Sequence, residues 1–333
     1  MPVPLSESIY PVLVCPRDHG SLLRAANALV CITCRSSFPI RSGIPVLIHP
    51  ENSLFSNLLT AAHLALPGAT GLAGVPVVRN RHAWTFKAMK RLKKMVPEIG
   101  ANWVANRNYE HLRTLVLKMT ANPTILIVGS GEIGEGLRSL LSDARLTIVE
   151  TDVWFGDRTN IIVDGHDLPF SDQSFDAVIC QAVLEHVLDP RRCVEEIYRV
   201  LRPDGLVYAE TPFMQQVHMG AHDFTRFTFL GHRRLFRYFD QESSGMTCGP
   251  GMALAWSVQY FLRCFSSSLL WKYLVRLTSF ALCWLKYLDY WLMRKPASAD
   301  AASGFFFLGR KRQSAIQDCE ILELHWSRRQ SAA

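Results

Sequence analysis

The most aromatic stretch of the chain has no long uncharged run. Between residues 256 and 293, Arg263, Lys272, Arg276, Lys286 and Asp289 interrupt a sequence rich in Trp, Tyr, Phe and Leu, and the longest uncharged run within it is residues 277–285. That is far short of the ~20 apolar residues a helix needs to cross a bilayer. The uncharged run before it, residues 243–262, holds Gly245, Gly249, Pro250 and Gly251 and does not read as one helix. Two amphipathic helices are expected there, and no transmembrane span. The N-terminus lacks a basic segment followed by a long apolar run, so no signal peptide is expected. Charge is sparse, at 20% of 333 residues, while 49% are apolar, which excludes a charge-rich disordered chain and suits a real core. Acid is in short supply relative to base, leaving a net charge of +7. Such a balance permits nucleic acid or an anionic membrane as partner, or only a solvated basic surface. The nine cysteines make an odd count, three near the N-terminus and the rest scattered through apolar segments. They do not read as a disulfide framework, and a reducing, cytoplasmic compartment is expected.

Against these absences stands one organising stretch, Thr124-Ile-Leu-Ile-Val-Gly-Ser-Gly-Glu-Ile-Gly-Glu-Gly136. Residues 125–128 form a strand with no polar face, as in a parallel sheet covered on both sides. Gly129, Gly131 and Gly134 follow with G-x-G-x-x-G spacing, and Ser130 lies between the first two. Such a turn lets the backbone approach a nucleotide-like ligand before a helix begins, here expected over 132–141. A second strand, 145–149, ends at Glu150-Thr-Asp152. A carboxylate at this place can hold both ribose hydroxyls of an adenosine ligand; Asp152 has the better spacing and Glu150 competes. Two further apolar strands end with Asp164-Gly-His166 and with Gln181, which puts polar groups at the ligand-binding edge of the sheet. Helices are expected at 182–187 and 190–201, a turn at 203–205 and a fifth strand at 206–211.

Past that strand, Thr211-Pro-Phe-Met-Gln-Gln-Val-His218 leads to His222-Asp-Phe-Thr-Arg-Phe-Thr228. Thr228 is expected to cap a helix running to 239. His218, His222 and Asp223 are candidates for a general base at the mouth of the site, with His186 behind them; the alternative is that they only fix the loop.

Near the N-terminus, Cys15-Pro-Arg-Asp-His-Gly20 precedes Cys31-Ile-Thr-Cys34. Two such turns can share one tetrahedral zinc, held by Cys15, Cys31, Cys34 and either Asp18 or His19. A unit this small has too little core to fold alone, so a metal staple makes physical sense; a ribbon held by packing without metal is the alternative. Residues 51–122 read as mostly helical, with helices expected at 52–66, 81–95 and 108–119. The second carries Arg81, Lys87, Lys90, Arg91, Lys93 and Lys94.

The motifs V-D-G-H-D-L-P-F-S-D-x-S-F-D, L-E-H-V-x-D-P and E-I-x-R-V-L-R-P-D-G-L, following the glycine turn, resemble class I S-adenosylmethionine-dependent methyltransferases, in the branch related to quinone biosynthesis. The usual turn in that family is G-x-G-x-G, so Gly134 stands one position late. The resemblance implies that Gly129 and Gly131 lie against the methionine part of S-adenosylmethionine. It places Asp152 at the ribose, Asp164 with Gly165 and His166 around the adenine, and Gln181 near the methyl end. Separately, Phe38-Pro-Ile-Arg-Ser-Gly-Ile-Pro-Val-Leu-Ile48 after the cysteines resembles the small zinc-ribbon protein that activates tRNA and protein methyltransferases, a partner-binding and stabilising element. The expected architecture is therefore α/β: a mostly parallel, three-layer Rossmann-like methyltransferase sheet over 123–312, a zinc-ribbon-like module at 9–50 and a helical linker at 51–122. An amphipathic helical insertion at 251–295 precedes the last strand, 304–310, as a lid, a dimer surface or a membrane-resting surface, and 313–333 is a polar, partly mobile tail. Methyl transfer to a small acceptor, lipid-like or a glycan or natural-product precursor, is the expected function. RNA is the alternative acceptor, and a non-catalytic scaffold the alternative class.

Overall fold

A computed structural model describes residues 5–49, 51, 99–131 and 134–330. The helices expected at 52–66 and 81–95 lie outside the described residues. Four short strands open the chain: Leu22–Arg24 (β1), Ala28–Cys31 (β2), Ser37–Arg41 (β3) and Ile44–Leu47 (β4), each antiparallel to the next. Helix Ala105–Met119 (α1) leads into Thr124–Val128 (β5), and after the glycine turn come Leu137–Leu141 (α2), Thr147–Asp152 (β6), Ile161–Val163 (β7) and Phe175–Gln181 (β8). Pro190–Val200 (α3), Leu201–Pro212 (β9), Phe229–Leu235 (α4) and Phe239–Cys248 (β10) follow. Three helices, Pro250–Arg263 (α5), Leu269–Leu282 (α6) and Leu285–Leu292 (α7), precede Gly304–Lys311 (β11) and Asp318–Gln330 (α8).

One sheet takes all the strands, in the order β1-β2-β3-β4-β7-β6-β5-β8-β9-β11-β10. Its centre is parallel: β5 pairs with β6 and β8, and β8 pairs with β9. Residues 125–128 and 175–180 are buried throughout, because helices or loops cover both faces and leave no polar side. One core layer joins Val128, Phe175, Val178 and Val207 to α3, and the opposite layer packs Tyr109, Leu112 and Val116 of α1 against Ile125, Ile127 and Ile179. This is the expected three-layer Rossmann-like arrangement, closed by an antiparallel β10–β11 hairpin that the three helices interrupt. The last strand of the N-terminal unit, β4, pairs in parallel with β7 (Val46 with Ile162, Leu47 with Val163), so the unit extends the central sheet.

Several elements differ from expectation. Residues 182–187 form a turn, because Ala182 takes a left-handed φ of 54° and gives its N–H to the Glu210 carbonyl at 3.0 Å. The helix after the glycines starts only at Leu137, behind Gly136 in the left-handed region. Residues 203–205 continue β9, and the helix capped by Thr228 stops at Leu235. The insertion holds three helices where two were expected, and the tail contains α8, with Ile321 buried. No helix among the described residues is long and apolar enough to cross a membrane.

Candidate active site

The glycine turn and the C-terminal ends of the parallel strands surround a cavity of about 640 Å³. Gly129 opens it with φ of +80°, and a Cβ there would stand 2.3 Å from Cγ2 of Val183. Conformation and space therefore both demand glycine. The Gly131 N–H donates to Asp152 Oδ2 at 2.7 Å and the Trp154 N–H to Oδ1 at 3.0 Å. Burial raises the Asp152 pKa, while these backbone donors favour its charged form.

Gly134 is needed for a different contact. A Cβ there would fall 1.7 Å from Gln181 Oε1. Gln181 is clamped: Tyr109 Oη donates to its Oε1 at 2.8 Å and its Nε2 donates to Glu210 Oε2 at 2.8 Å. Asn102 Nδ2 donates to both Glu210 oxygens, at 3.0 and 2.8 Å, and Tyr208 Oη donates to Oε1. Asn102, Glu135 and Glu210 line the cavity and were not foreseen. A carboxylate ending the apolar run Leu206-Val-Tyr-Ala-Glu210 was the available signal, since a charge in a buried strand needs partners.

At the other end, Asp164, Gly165 and His166 line the wall. His166 Nε2 accepts the Asp189 N–H at 3.1 Å, which leaves the proton on Nδ1, 2.6 Å from Asp164 Oδ1. Four sequence candidates stand apart from the cavity lining: Ser130 and Glu150 here, and His222 and Asp223 on the acceptor side. Glu150 is buried and holds Arg158 through both oxygens, at 2.8 and 2.6 Å. Ser130 lies behind the turn, its N–H given to the Thr151 carbonyl at 2.9 Å.

The acceptor side brings His186 and His218 together, their rings 4.9 Å apart and edge to face. His186 Nδ1 lies 2.7 Å from the His222 carbonyl, which can only accept, so Nδ1 carries the proton and the Nε2 lone pair remains. Burial holds the His186 pKa below the usual imidazole value. Asp223 is ionised: burial alone would raise it, but Arg226 and the His218 N–H hold its pKa at about 2. It fixes the loop, and His222 contributes its carbonyl. Beneath them Glu185 is fully buried, neither carboxylate oxygen has a hydrogen-bond partner, and burial lifts its pKa to about 8.

In the N-terminal unit the ligand atoms of Cys15, Asp18, Cys31 and Cys34 all lie within 4.8 Å of one another. Cys15 Sγ and Cys34 Sγ are 3.7 Å apart, and Cys31 Sγ is 3.3 Å from Asp18 Oδ1. Tetrahedral zinc with ~2.3 Å bonds to sulfur needs ligand separations of roughly 3.5–3.8 Å, so the group matches such an ion. Of the two fourth ligands left open by the sequence, the group contains Asp18.

Residues 128–209, the span that carries the glycine turn and the strand ends, match a family model described as a methyltransferase domain. The chain carries a methyltransferase domain. The chain is similar to a demethylmenaquinone methyltransferase of Clavibacter sepedonicus, 36% identical over 77 residues, 23% of this chain and 26% of that protein. It is also similar to cycloartenol-C-24-methyltransferase 1 of Oryza sativa subsp. japonica, 34% identical over 113 residues, 29% of this chain and 33% of that one. The chain thus spans between a quarter and a third of these two methyltransferases. A UPF0434 protein of Bordetella avium matches separately, 44% identical over 46 residues that make 13% of this chain and 73% of that protein. Over that stretch the chain belongs to the UPF0434 family.

Proposed function

We propose that this protein transfers a methyl group from S-adenosylmethionine to the hydroxyl or amine of a small, lipid-like acceptor. One observation carries the reading: a single cavity is lined by the glycine turn and Asp152 at one end and by His186 and His218 at the other. The cradle suits the cofactor, since a cavity of about 640 Å³ is lined by Gly129 and Gly131, the Asp152 carboxylate and Asp164 with His166. Gly129 and Gly131 leave room for its amino-acid tail, and Asp152 stands where ribose hydroxyls would meet it, with Trp154 beside. Asp164, Gly165 and His166 border the adenine, and Gln181 the methyl end. Bound S-adenosylmethionine supplies an electrophilic methyl group on a sulfonium. Orienting the acceptor against it supplies much of the acceleration. His186 takes the acceptor proton on Nε2, while Asp223 and Arg226 hold the loop that closes the mouth.

The quinone-biosynthesis branch and the similarities to a demethylmenaquinone and a cycloartenol methyltransferase support the lipid-like character of the acceptor and not the hydroxyl or amine, since the second is named for methylation at C-24. In the same reading residues 9–50 are a zinc ribbon that stabilises the catalytic unit at 123–312, with 51–122 as linker. Calorimetry with S-adenosylmethionine tests the cofactor: absence of heat at millimolar ligand would remove the enzyme in favour of a scaffold. Turnover across lipid, glycan and RNA extracts tests the acceptor, and activity confined to the RNA fraction would overturn the small-molecule reading.

A further inference from the structure

The helices of the insertion bury one side and leave the other bare. Inward, α5 packs Met252 and Ala255, α6 packs Val275, and α7 packs Asp289. Asp289 accepts the N–H groups of Gly249, Gly251 and Met252 at 3.1, 2.7 and 3.0 Å, which pins α7 to the start of α5. Outward, Leu270, Tyr273, Leu274, Leu277 and Phe280 form one stripe along α6, and Trp284, Tyr287, Leu288 and Trp291 form another at α7. Leu269 and Leu270 are 75% and 72% exposed. Together the two stripes bare on the order of 1,000 Å² of apolar and aromatic surface. A monomer in water ordinarily leaves a few hundred.

Charge decides what covers this face. Residues 250–295 contain six basic side chains, Arg263, Lys272, Arg276, Lys286, Arg294 and Lys295, and one acid, the buried Asp289. No acidic side chain of the insertion is therefore left at its surface. Three of the cations lie over aromatic rings: Arg263 over Tyr260 at 5.0 Å, Lys286 over Tyr287 at 5.6 Å and Lys295 over Trp291 at 5.3 Å. Long cationic stems lying along apolar rings, with Trp and Tyr among them, are the chemistry of a membrane–water interface. A second copy of the same face would bring cation against cation.

We propose that the insertion lies in the headgroup layer of an anionic bilayer. Helices of 14, 14 and 8 residues are too short to cross it. The placement also bears on the acceptor, a point that rests on the methyl-transfer reading. Tyr260 Oη of α5 donates to the Val217 carbonyl at 3.2 Å, and Gln216 Nε2 donates to Ser257 Oγ at 3.0 Å. Met252 of α5 and His218 and Met219 of that loop all line the cavity. The interfacial helices are thus attached to the loop where the acceptor enters, so an amphiphile resident in the membrane would reach it from the lipid side.

The test is sedimentation of the full chain with vesicles of phosphatidylcholine alone or with a third phosphatidylserine. Binding to the anionic vesicles, weakened by salt, is the expected result. Leu270→Ser with Leu277→Ser should weaken it about tenfold, and Lys272→Gln with Lys295→Gln about fivefold for each charge. All four positions are exposed, so thermal midpoints should not move. Three outcomes overturn the proposal: equal, salt-insensitive sedimentation of the variants, no binding to either vesicle, or a dimer that Leu270→Ser dissolves. Binding is read without cofactor, so loss of S-adenosylmethionine affinity would sink the enzymatic reading and leave this one standing.

Discussion

Among the residues, His186 and Glu185 adjoin in sequence and in space, with His186 Nε2 3.6 Å from Glu185 Oε1, and burial shifts their pKa values in opposite directions. His186 meets the cavity with its proton committed to the His222 carbonyl. If it is the base, His186→Asn should lower turnover ~10²- to 10⁴-fold and leave S-adenosylmethionine affinity within a factor of two by calorimetry. Burial disfavours the imidazolium, so the working form persists down through pH 6.5 and the rate falls only below it. An acid limb unchanged in the variant would assign the base elsewhere. Glu185 has the opposite sign. With a folded pKa of about 8 and an unfolded value near the ordinary ~4.3, it keeps a proton in the folded state that the unfolded chain releases across that window. Stability is therefore lost as pH rises, at up to roughly 1.4 kcal/mol per pH unit from this one group. Glu185→Gln should be nearly neutral at pH 4 and clearly stabilising at pH 8 in denaturant titration. Equal midpoints at both pH values would show the carboxyl ionised in the fold. The sequence named His218, His222 and Asp223 ahead of His186, because the carbonyl that sets the His186 tautomer comes from another loop.

At the level of elements, legibility tracked burial and locality. The strands at 125–128 and 175–180 could be read because continuous burial calls for a mainly apolar run, Asp176 being held by the Thr124 N–H and Arg202. The helix expected at 182–187 failed because Ala182 is captured by β9, a contact 28 residues away in sequence. Gly134, whose late spacing set it apart, is explained by Gln181 reaching across from β8. The glycine turn gives the sharpest test. Gly129→Ala meets a φ of +80° and a 2.3 Å clash with Val183, so it should cost about 1–3 kcal/mol and weaken S-adenosylmethionine binding more than tenfold. Adding Val183→Ala should return the part owed to the clash and not the part owed to the dihedral. Full recovery in the double variant would mean that the backbone there tolerates a side chain.

Over the whole molecule, the N-terminal unit is continuous with the catalytic layer. β4 takes the sheet edge beside β7, and one core cluster runs from Leu13, Cys15, Cys31, Phe38 and Leu47 to Val128, Val163 and Phe170. Nothing local in Ile44-Pro-Val-Leu47 names its partner strand more than a hundred residues later. Burial of all four of its residues is the trace such pairing leaves. A shared core makes the metal a matter for the entire fold. If zinc joins Cys15, Asp18, Cys31 and Cys34, its binding energy is folding energy for the whole sheet. Chelation should then lower the midpoint of a single thermal transition by roughly 2–4 °C for each kcal/mol lost, without releasing a separate low-temperature step. Cys31→Ser should do the same and abolish the zinc content of the purified protein, while Asp18→Ala should reduce it. A catalytic unit that melts unchanged after chelation would show that β4 docks by packing alone. In that case Leu47→Asp, which places a charge in the shared core, would still unfold the sheet edge while Cys31→Ser would not.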